Sequence, residues 1–359
     1  MNRRRAKRVT IMDVAHEAGV SYSTVSRVVN NKDVVEEKTR ARVIQAINKL
    51  GYVVNRQARS LAGGSSQVIG LLVRDLGTGY IGEIIRGIDD EIAQTQYDLM
   101  LYTTHRHKTD ESAYVIMMTQ GMADGLLLVL PRQPEAYLAS LRERSFPYML
   151  IDHQGIAENE AAVAVENWQG GFVATEHLLQ LGHRRIGFVT GNLTMGCAQN
   201  RRAGYYAALT QYGIKPDEAL VKEGNFFQPD GYAAGQALLS LPQPPTAIFA
   251  SNDVMAFGVM ESVRDRGLKI PDDVSIVGFD DIPQSAYVHP PLTTVRQPLE
   301  EMGRVAVRTL LAMIENPDYS APRITLPIEL IVRQSCCTLD HVNNMHRPDL
   351  QGGELQPTG

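Results

Sequence analysis

From about residue 67 onward the chain repeats one pattern, a short continuous apolar run followed by a longer stretch of helical periodicity. Apolar runs without polar alternation are buried on both faces, which fits strands of parallel sheets covered by helices. The predicted strands are Val68–Val73, Asp98–Thr104, Gly125–Leu130, Met149–His153, Ala162–Glu166, Arg185–Thr190, Ala247–Ser251 and Val274–Phe279. Eight such units exceed one compact nucleotide fold and divide into two βαβ lobes, about 65–165 and 166–292. Two late extended segments, near Thr293–Pro298 and Ile324–Arg333, let the chain cross back. They assign 293–323 to the first lobe and 324–340 to the second. The expected class is therefore α/β, two parallel sheets forming one core over 65–340.

Composition narrows the alternatives. An apolar fraction of 44% with 21% charged residues excludes global disorder. The run Leu126–Leu130, closed by Pro131, is far too short to cross a bilayer. Basic residues at Arg3, Arg4, Arg5, Lys7 and Arg8 have no apolar stretch behind them, so no secretory signal is expected and the chain is placed in the cytoplasm. Three cysteines, two adjacent at Cys336 and Cys337, make neither a disulfide framework nor a zinc-ligand spacing. Charge is divided unevenly. Residues 1–62 hold 13 Lys+Arg and 5 Asp+Glu, a net of +8, whereas the other 297 carry 22 and 35, a net of −13. A basic head on an acidic body points to a head that meets a polyanion.

The head, residues 1–54, reads as three helices. Thr10 and Asp13 have capping-box spacing for a helix to about Ala18, Gly19 supplies a tight turn, and Ser21 caps a second helix to about Asn30. Ala15, Gly19 and Val25 have the spacing of a helix-turn-helix. Val25 with Val28 or Val29 points inward, leaving Tyr22, Ser23, Ser26 and Arg27 for a major groove, where Arg27 suits guanine. A third helix from about Glu36 to Leu50 stacks Val43, Ile44, Ile47 and Leu50 on one face. Residues 55–64 then form a short hinge helix, capped by Asn55 and ended by Gly63-Gly64. Eight or so helical residues are marginal alone, and Leu61 among polar neighbours fits an apolar wedge in a minor groove.

The stretch Val9 to Gly63, with DVAHEAGVSYSTVSRVVN and NRQARSLAG, closely resembles the lactose/galactose repressor (LacI/GalR) family of transcription regulators. The resemblance implies that Tyr22, Ser23 and Arg27 read bases. It gives Thr10, Ser21, Ser26, Asn30, Thr39, Tyr52 and Asn55 to phosphates, and places Ala58 and Leu61 of the hinge on DNA, Leu61 prying open the central step of a pseudo-palindromic operator. The body shares landmarks too, at Asp124-Gly125, Leu181-Gly182-His183-Arg184-Arg185-Ile186, Ser251-Asn252-Asp253 and Leu292-Thr293-Thr294-Val295-Arg296-Gln297-Pro298. These imply a fold like the periplasmic sugar-binding proteins, with a ligand between the lobes.

Ligands of such sheets bind at the carboxyl ends of the strands. The positions past each strand end give Tyr80, Asp152, Arg201, Phe226, Asn252 and Asp280 as effector contacts, with Trp168 a further aromatic candidate. Carboxylates, an amide and a guanidinium suit a polyhydroxylated ligand, a sugar or sugar phosphate, while Tyr80 or Phe226 stacks on a ring. A purine or nucleoside effector is the alternative that stacking allows.

Two rivals fall on specific residues. Gly77-Thr78-Gly79-Tyr80-Ile81-Gly82 spells the dinucleotide fingerprint of an NAD-linked oxidoreductase. The second strand ends Tyr102-Thr103-Thr104-His105, without the acid that holds the ribose. A transport-type sugar-binding protein would lack the basic head. No G-x-S-x-G or H-E-x-x-H occurs, and His105, His107 and His183 make no site, so no enzyme, cofactor or metal is expected. The resemblance implies a homodimeric repressor of carbohydrate-utilisation genes, with double-stranded DNA and a small effector as partners and no membrane association. Residues 341–359 read as a disordered tail without leucine heptads, which predicts dimers and not tetramers.

Overall fold

The computed structural model describes residues 9–29, 35–52, 65–74, 76–77, 79–104, 111–131, 134–153 and 160–339. Asn30, the hinge segment 55–64 with Asn55, Ala58 and Leu61, His105, His107 and the tail 341–359 lie outside the described residues. The chain divides into two compact units, Met1–Ser66 and Gln67–Gly359.

In the first unit α1 is Ile11–Ala18, α2 Tyr22–Val29 and α3 Glu37–Leu50. The capping box forms: Asp13 N donates to Thr10 Oγ1 at 3.3 Å and Thr10 N donates to Asp13 Oδ2 at 2.8 Å. Gly19 closes α1 at φ 62°, a conformation that needs no Cβ, and Ser21 Oγ then accepts from Thr24 N to open α2. Val14, Ala15, Ala18, Val25, Val28, Val43 and Ala46 make the small core. Ile44, expected on the inner face of α3, is instead 47% exposed, and Ala46 is buried. In a core this small the face is decided by which side chain fits against α1, and alanine fits the close approach.

The second unit holds two six-stranded sheets. Its elements in order are β1 Val68–Val73, α4 Gly79–Ile92, β2 Asp98–Thr103, α5 Glu111–Thr119, β3 Gly125–Val129, α6 Glu135–Glu143, β4 Tyr148–Ile151 and β5 Ala162–Val165. Then come α7 Asn167–Gln180, β6 Ile186–Thr190, α8 Gly196–Gln211, β7 Val221–Glu223, α9 Gln228–Leu239, β8 Ala247–Ala250, α10 Asp253–Asp265 and β9 Ser275–Asp280. The last are β10 Thr293–Arg296, α11 Leu299–Glu315, β11 Arg323–Leu326 and β12 Glu329–Ile331. The first sheet runs β11-β5-β4-β3-β1-β2, all parallel; the second runs β12-β10-β9-β8-β6-β7, parallel except for β12. All eight predicted strands are present. The short edge strand β7, with no apolar run to announce it, is additional.

The two late segments are assigned differently from expectation. Thr293–Arg296 is β10 of the second sheet, paired with β9, and not part of the first lobe. Within Ile324–Arg333 the chain forms two strands in different sheets, β11 beside β5 and β12 beside β10. Pro327 falls between them, where the missing N–H interrupts a ladder. Described residues 67–165 with 299–326 therefore make one lobe, and 167–296 with 329–339 the other, so the chain crosses three times. An extended segment carries no periodicity that tells one sheet edge from another, which is why the pairing was not readable.

Three helix pairs among the described residues meet backbone to backbone: α4 with α11, α7 with α8, and α9 with α10. A Cβ on Gly87 of α4 would come 1.9 Å from the Glu300 carbonyl, and one on Gly171 of α7 would come 2.2 Å from the Arg201 carbonyl. The second approach matters for the site, because it presses α8 against α7 and sets where Arg201 emerges.

Candidate functional site

A cleft of about 950 Å³ opens between the lobes at the carboxyl ends of both sheets. All six residues expected there line it. Tyr80 stands in the first turn of α4, Asp152 directly after β4, Arg201 on α8, Phe226 after β7, Asn252 between β8 and α10, and Asp280 at the end of β9. Trp168 does not line it. That indole is 43% exposed at the start of α7 and stacks on Phe172, ring centroids 5.5 Å apart.

Three of these residues hold left-handed backbone: Asp152 at φ 53°, Phe226 at φ 68° and Asp280 at φ 119°. Such conformations cost about 1–3 kcal/mol each outside glycine and persist where surrounding structure enforces them. The chain turns sharply off a strand end here, aiming each side chain into the cleft.

Arg201 is the hub. Its Nε donates to Asn167 Oδ1 at 2.7 Å, its Nη1 donates to the Ser251 carbonyl at 2.6 Å, and Nη1 lies 3.7 Å from Asp280 Oδ1. The guanidinium sits 3.7 Å over the Phe279 ring, whose edge fills the space a Cβ on Gly170 would need. Gln297 Nε2 donates to Asp280 Oδ1 at 2.6 Å. Across the cleft Tyr80 Oη donates to Asp152 Oδ2 at 2.7 Å, while the buried Asp152 Oδ1 receives no hydrogen bond from the described residues. Asn252 caps α10 through Met255 N and donates to the Phe226 carbonyl at 3.2 Å. Phe226 packs its ring over Gly191, where a Cβ would come within 1.9 Å.

Burial pushes the carboxyls of Asp152 and Asp280 up, Asp280 strongly, with the Arg201 charge opposing in both cases. Burial also drives the Tyr80 hydroxyl well up, reinforced by Asp152, and raises the Cys197 thiol on the cleft wall to about 12. Together these groups offer donors and acceptors for hydroxyls and no activated nucleophile. Among the described residues no group of three or more His, Cys, Asp or Glu could hold a metal. No helix there is long and apolar enough to cross a membrane.

Behind the cleft lies Asp253, fully buried. Its carboxylate accepts from Ile282 N at 2.9 Å, Ser285 Oγ at 2.7 Å and Thr294 Oγ1, fixing the segment that leads away from Asp280. Burial raises its pKa to about 7 against those three hydrogen bonds. The folded state thus holds this proton more tightly than the unfolded chain, whose Asp titrates near 3.9. Its contribution to stability is full below about pH 4 and is lost as pH rises toward 7. Urea unfolding between pH 4.5 and 7.5 should show a loss with rising pH that Asp253→Asn removes; parallel pH profiles would contradict that assignment.

Sequence reasoning missed Arg74, Glu111, Glu135, Asn192 and Asn225, which also line the cleft. Arg74 and Asn192 lie just past β1 and β6, so the strand-end rule itself could have found them. Glu111 and Glu135 open α5 and α6, positions that rule does not examine.

In the head, Tyr22, Ser23 and Arg27 are exposed along one side of α2, opposite buried Val25 and Val28, with Ser26 half-buried. Thr10 and Ser21 serve as caps, and Thr39 and Tyr52 are half-buried at the ends of α3.

The sequence of residues 10–55 matches the model of bacterial regulatory proteins of the lacI family, and 175–336 that of the periplasmic binding protein-like domain. The HTH-type transcriptional repressor PurR of Escherichia coli O139:H28 is 37% identical over 328 residues, 91% of this chain and 96% of that protein. The lac repressor dimer bound to operator and the anti-inducer ONPF superposes with a TM-score of 0.81 at 30% identity, over 92% of this chain and 100% of the other. The complex of the transcriptional regulator CelR with cellobiose gives a TM-score of 0.70 at 32% identity, covering 91% and 100%.

Proposed function

The chain belongs to the LacI family of bacterial regulatory proteins, DNA-binding repressors with a small-molecule effector, and from that premise we propose that it represses carbohydrate-utilisation genes under control of a sugar. The observation that carries this reading is the pair of buried carboxyls, Asp152 and Asp280, flanking Arg201 in the interlobe cleft. Paired acceptors beside a planar donor suit adjacent hydroxyls. The protein works by binding and not by catalysis, at operator DNA in the cytoplasm.

Two heads of a dimer occupy half-sites in successive major grooves, with Tyr22, Ser23 and Arg27 on bases and Thr10, Ser21, Ser26, Asn30, Thr39, Tyr52 and Asn55 on phosphates. The hinge segments 55–64 enter the central minor groove with Ala58 and Leu61. Effector binding changes the angle between lobes and so the spacing of the hinges. A coupling of about 1–3 kcal/mol alters operator affinity roughly 5- to 150-fold, enough for a switch.

Thermal-shift screening of the intact protein against sugars, nucleosides and purine bases tests the effector. A sugar should raise the melting temperature, and the rise should vanish in Asp280→Ala. A purine reading has support of its own, from the Phe226 ring in the cleft, which can stack on a base. A purine hit without a sugar hit would establish it in place of the carbohydrate.

A further inference from the structure

Asn252 and Asp280 line the cleft from the second lobe, and each is followed two positions on by an apolar side chain that packs on the first. After Asp280 comes Ile282, 2% exposed and part of the first lobe's apolar core, in one cluster with Ile81, Ile84, Leu299 and Met302. After Asn252 comes Val254, packed against that cluster, and Phe257 follows one turn along α10. Twice, then, the chain passes from cleft to lobe contact within three residues.

Residues 280–286, which end in a 3-10 turn over Pro283–Ala286, form a strap that is held along its length. Asp280 and Asp281 have left-handed backbone, at φ 119° and 55°. Gln297 grips Asp280, its N donating to the carbonyl at 3.2 Å and its Nε2 to Oδ1 at 2.6 Å. Arg296 Nε and Arg333 Nη2 each reach the Asp281 carboxylate at 2.7 Å. Asp253, between Asn252 and Val254, accepts from Ile282 N at 2.9 Å and from Ser285 Oγ at 2.7 Å. One buried carboxylate thus ties the two segments into a single block. Close-packed protein transmits a displacement more readily than it absorbs one.

The Gly77–Gly82 stretch that spells a dinucleotide fingerprint serves this contact. A Cβ on Gly79 would come 2.7 Å from Gln284 Oε1, whereas one on Gly82 would meet nothing within 4 Å. Gly82 is therefore no packing glycine, and Gly79 leaves room for the strap at the start of α4. The next residue, Tyr80, lines the cleft from the first lobe. The strap accordingly meets the first lobe through Ile282 in its core and through Gln284 over Gly79.

We propose that the strap Asp280–Ala286 converts occupancy of the cleft into lobe angle, with Asp280 meeting the effector and with Ile282 and Gln284 steering the first lobe at α4. Gly79, Ile282 and Gln284 are positioning residues, and none is among the described residues that line the cleft. A bound molecule shifts the lobes only by favouring one arrangement over another. A stiff link between effector contact and lobe contact makes the positions of Asp280 and Ile282 interdependent. This rests on the cleft being the effector site and holds for a sugar or a purine alike.

The test needs no effector. The intact protein carries spin labels as unnatural side chains at Ala139 of α6 and Thr210 of α8, one exposed position on each lobe. Dilution with unlabelled chains restricts the measured distances to those within one chain. Ile282→Ala should shift or broaden the interlobe distance and change affinity for an operator selected from a randomised duplex pool by at least about fivefold. Ile282→Val should restore both. Ile84→Ala truncates an equally buried isoleucine of the same cluster within α4, so it should cost similar stability and leave both readouts unchanged. Gly79→Leu should shift the distance from outside the core, and adding Gln284→Ala should bring it back. That pair stands in if Ile282→Ala fails to fold. Asp280→Asn probes the cleft end, and its effect on the distance should shrink in the Ile282→Ala background, because coupled sites are not additive.

Identical behaviour of Ile282→Ala and Ile84→Ala makes Ile282 an ordinary core residue and overturns the inference. So does a Gly79→Leu shift that Gln284→Ala fails to relieve. A moved distance with unchanged operator affinity confines the strap to holding the lobes, and absent or additive effects of Asp280→Asn sever it from the cleft; each overturns the inference too. None of these results bears on which molecule fills the cleft. A thermal-shift screen whose hits all survive Asp280→Ala would fail the effector reading instead, without altering any label distance, and the inference would fall with it.

Discussion

Arg201→Met is expected to abolish effector binding and to lower stability by up to about 3–5 kcal/mol, the range for removing one partner of a buried ion pair. The side chain is 2% exposed and serves four groups at once: Asn167, the Ser251 carbonyl, Asp280 and the Phe279 ring. Methionine fills much of the volume and supplies no donor, so Asn167 Oδ1 and the Ser251 carbonyl are left without this partner. Asp280 limits the loss. Burial already pushes its carboxyl well up and Arg201 pulls it down, so in the variant it takes a proton instead of remaining a buried anion. The loss should therefore be largest above neutral pH and smaller in acid. Urea unfolding at pH 5 and pH 8 reads this directly. A second variant separates stability from recognition: Arg201→Met with Asp280→Asn, which tolerates the φ of 119° and still accepts from Gln297, should regain the part of the loss that comes from the unpaired carboxyl and none of the effector binding. If Arg201→Met still binds the effector with unchanged affinity, the hub is structural and the cleft reading loses its central residue.

How much of this was legible in the chain depends on what each feature rests on. The strands were readable because burial on both faces leaves an unbroken apolar run, as in β1 and β3, where every residue is buried. Of the six cleft residues, Asp152, Asn252 and Asp280 were readable because position just beyond a parallel strand is itself a placement rule, and the enforced backbone at Asp152 and Asp280 is its structural expression, whereas Phe226 follows β7, which no apolar run announces, and Arg201 stands inside α8. The crossings at β10 and β11 were not, because the side chains of Thr293–Arg296 and Arg323–Leu326 carry no signal for one sheet over the other. Trp168 misled because a lone aromatic near a helix start looks the same whether it faces a ligand or a neighbouring ring, here Phe172. Glu111 and Glu135 were hidden for a different reason: they reach the cleft from helix starts, and a glutamate in a first turn reads as dipole complementation until the cleft is seen.

Arg27→Ala should weaken binding to the operator by about 2–6 kcal/mol for a dimer, taking about 1–3 kcal/mol for each bidentate contact to a base and two independent half-sites. The folded head itself should be unaffected. Arg27 is exposed on α2, which is held in place by Val25 and Val28 from its other side, so substitution at the exposed position should change stability by no more than about 0.5 kcal/mol. The test measures operator and random-sequence DNA in parallel across a salt series. Operator affinity should fall steeply, random-sequence affinity should change little, and the slope of affinity against salt should stay nearly constant, because counterion release tracks phosphate contacts. An equal loss on both DNAs with a shallower slope would make Arg27 a phosphate contact and move base recognition onto Tyr22 and Ser23. The comparison also bears on the body. The region from residue 63 carries a net charge of −13, which disfavours a polyanion, so the positive charge that steers DNA resides in the head. Losing one arginine there should matter to sequence choice far more than to encounter.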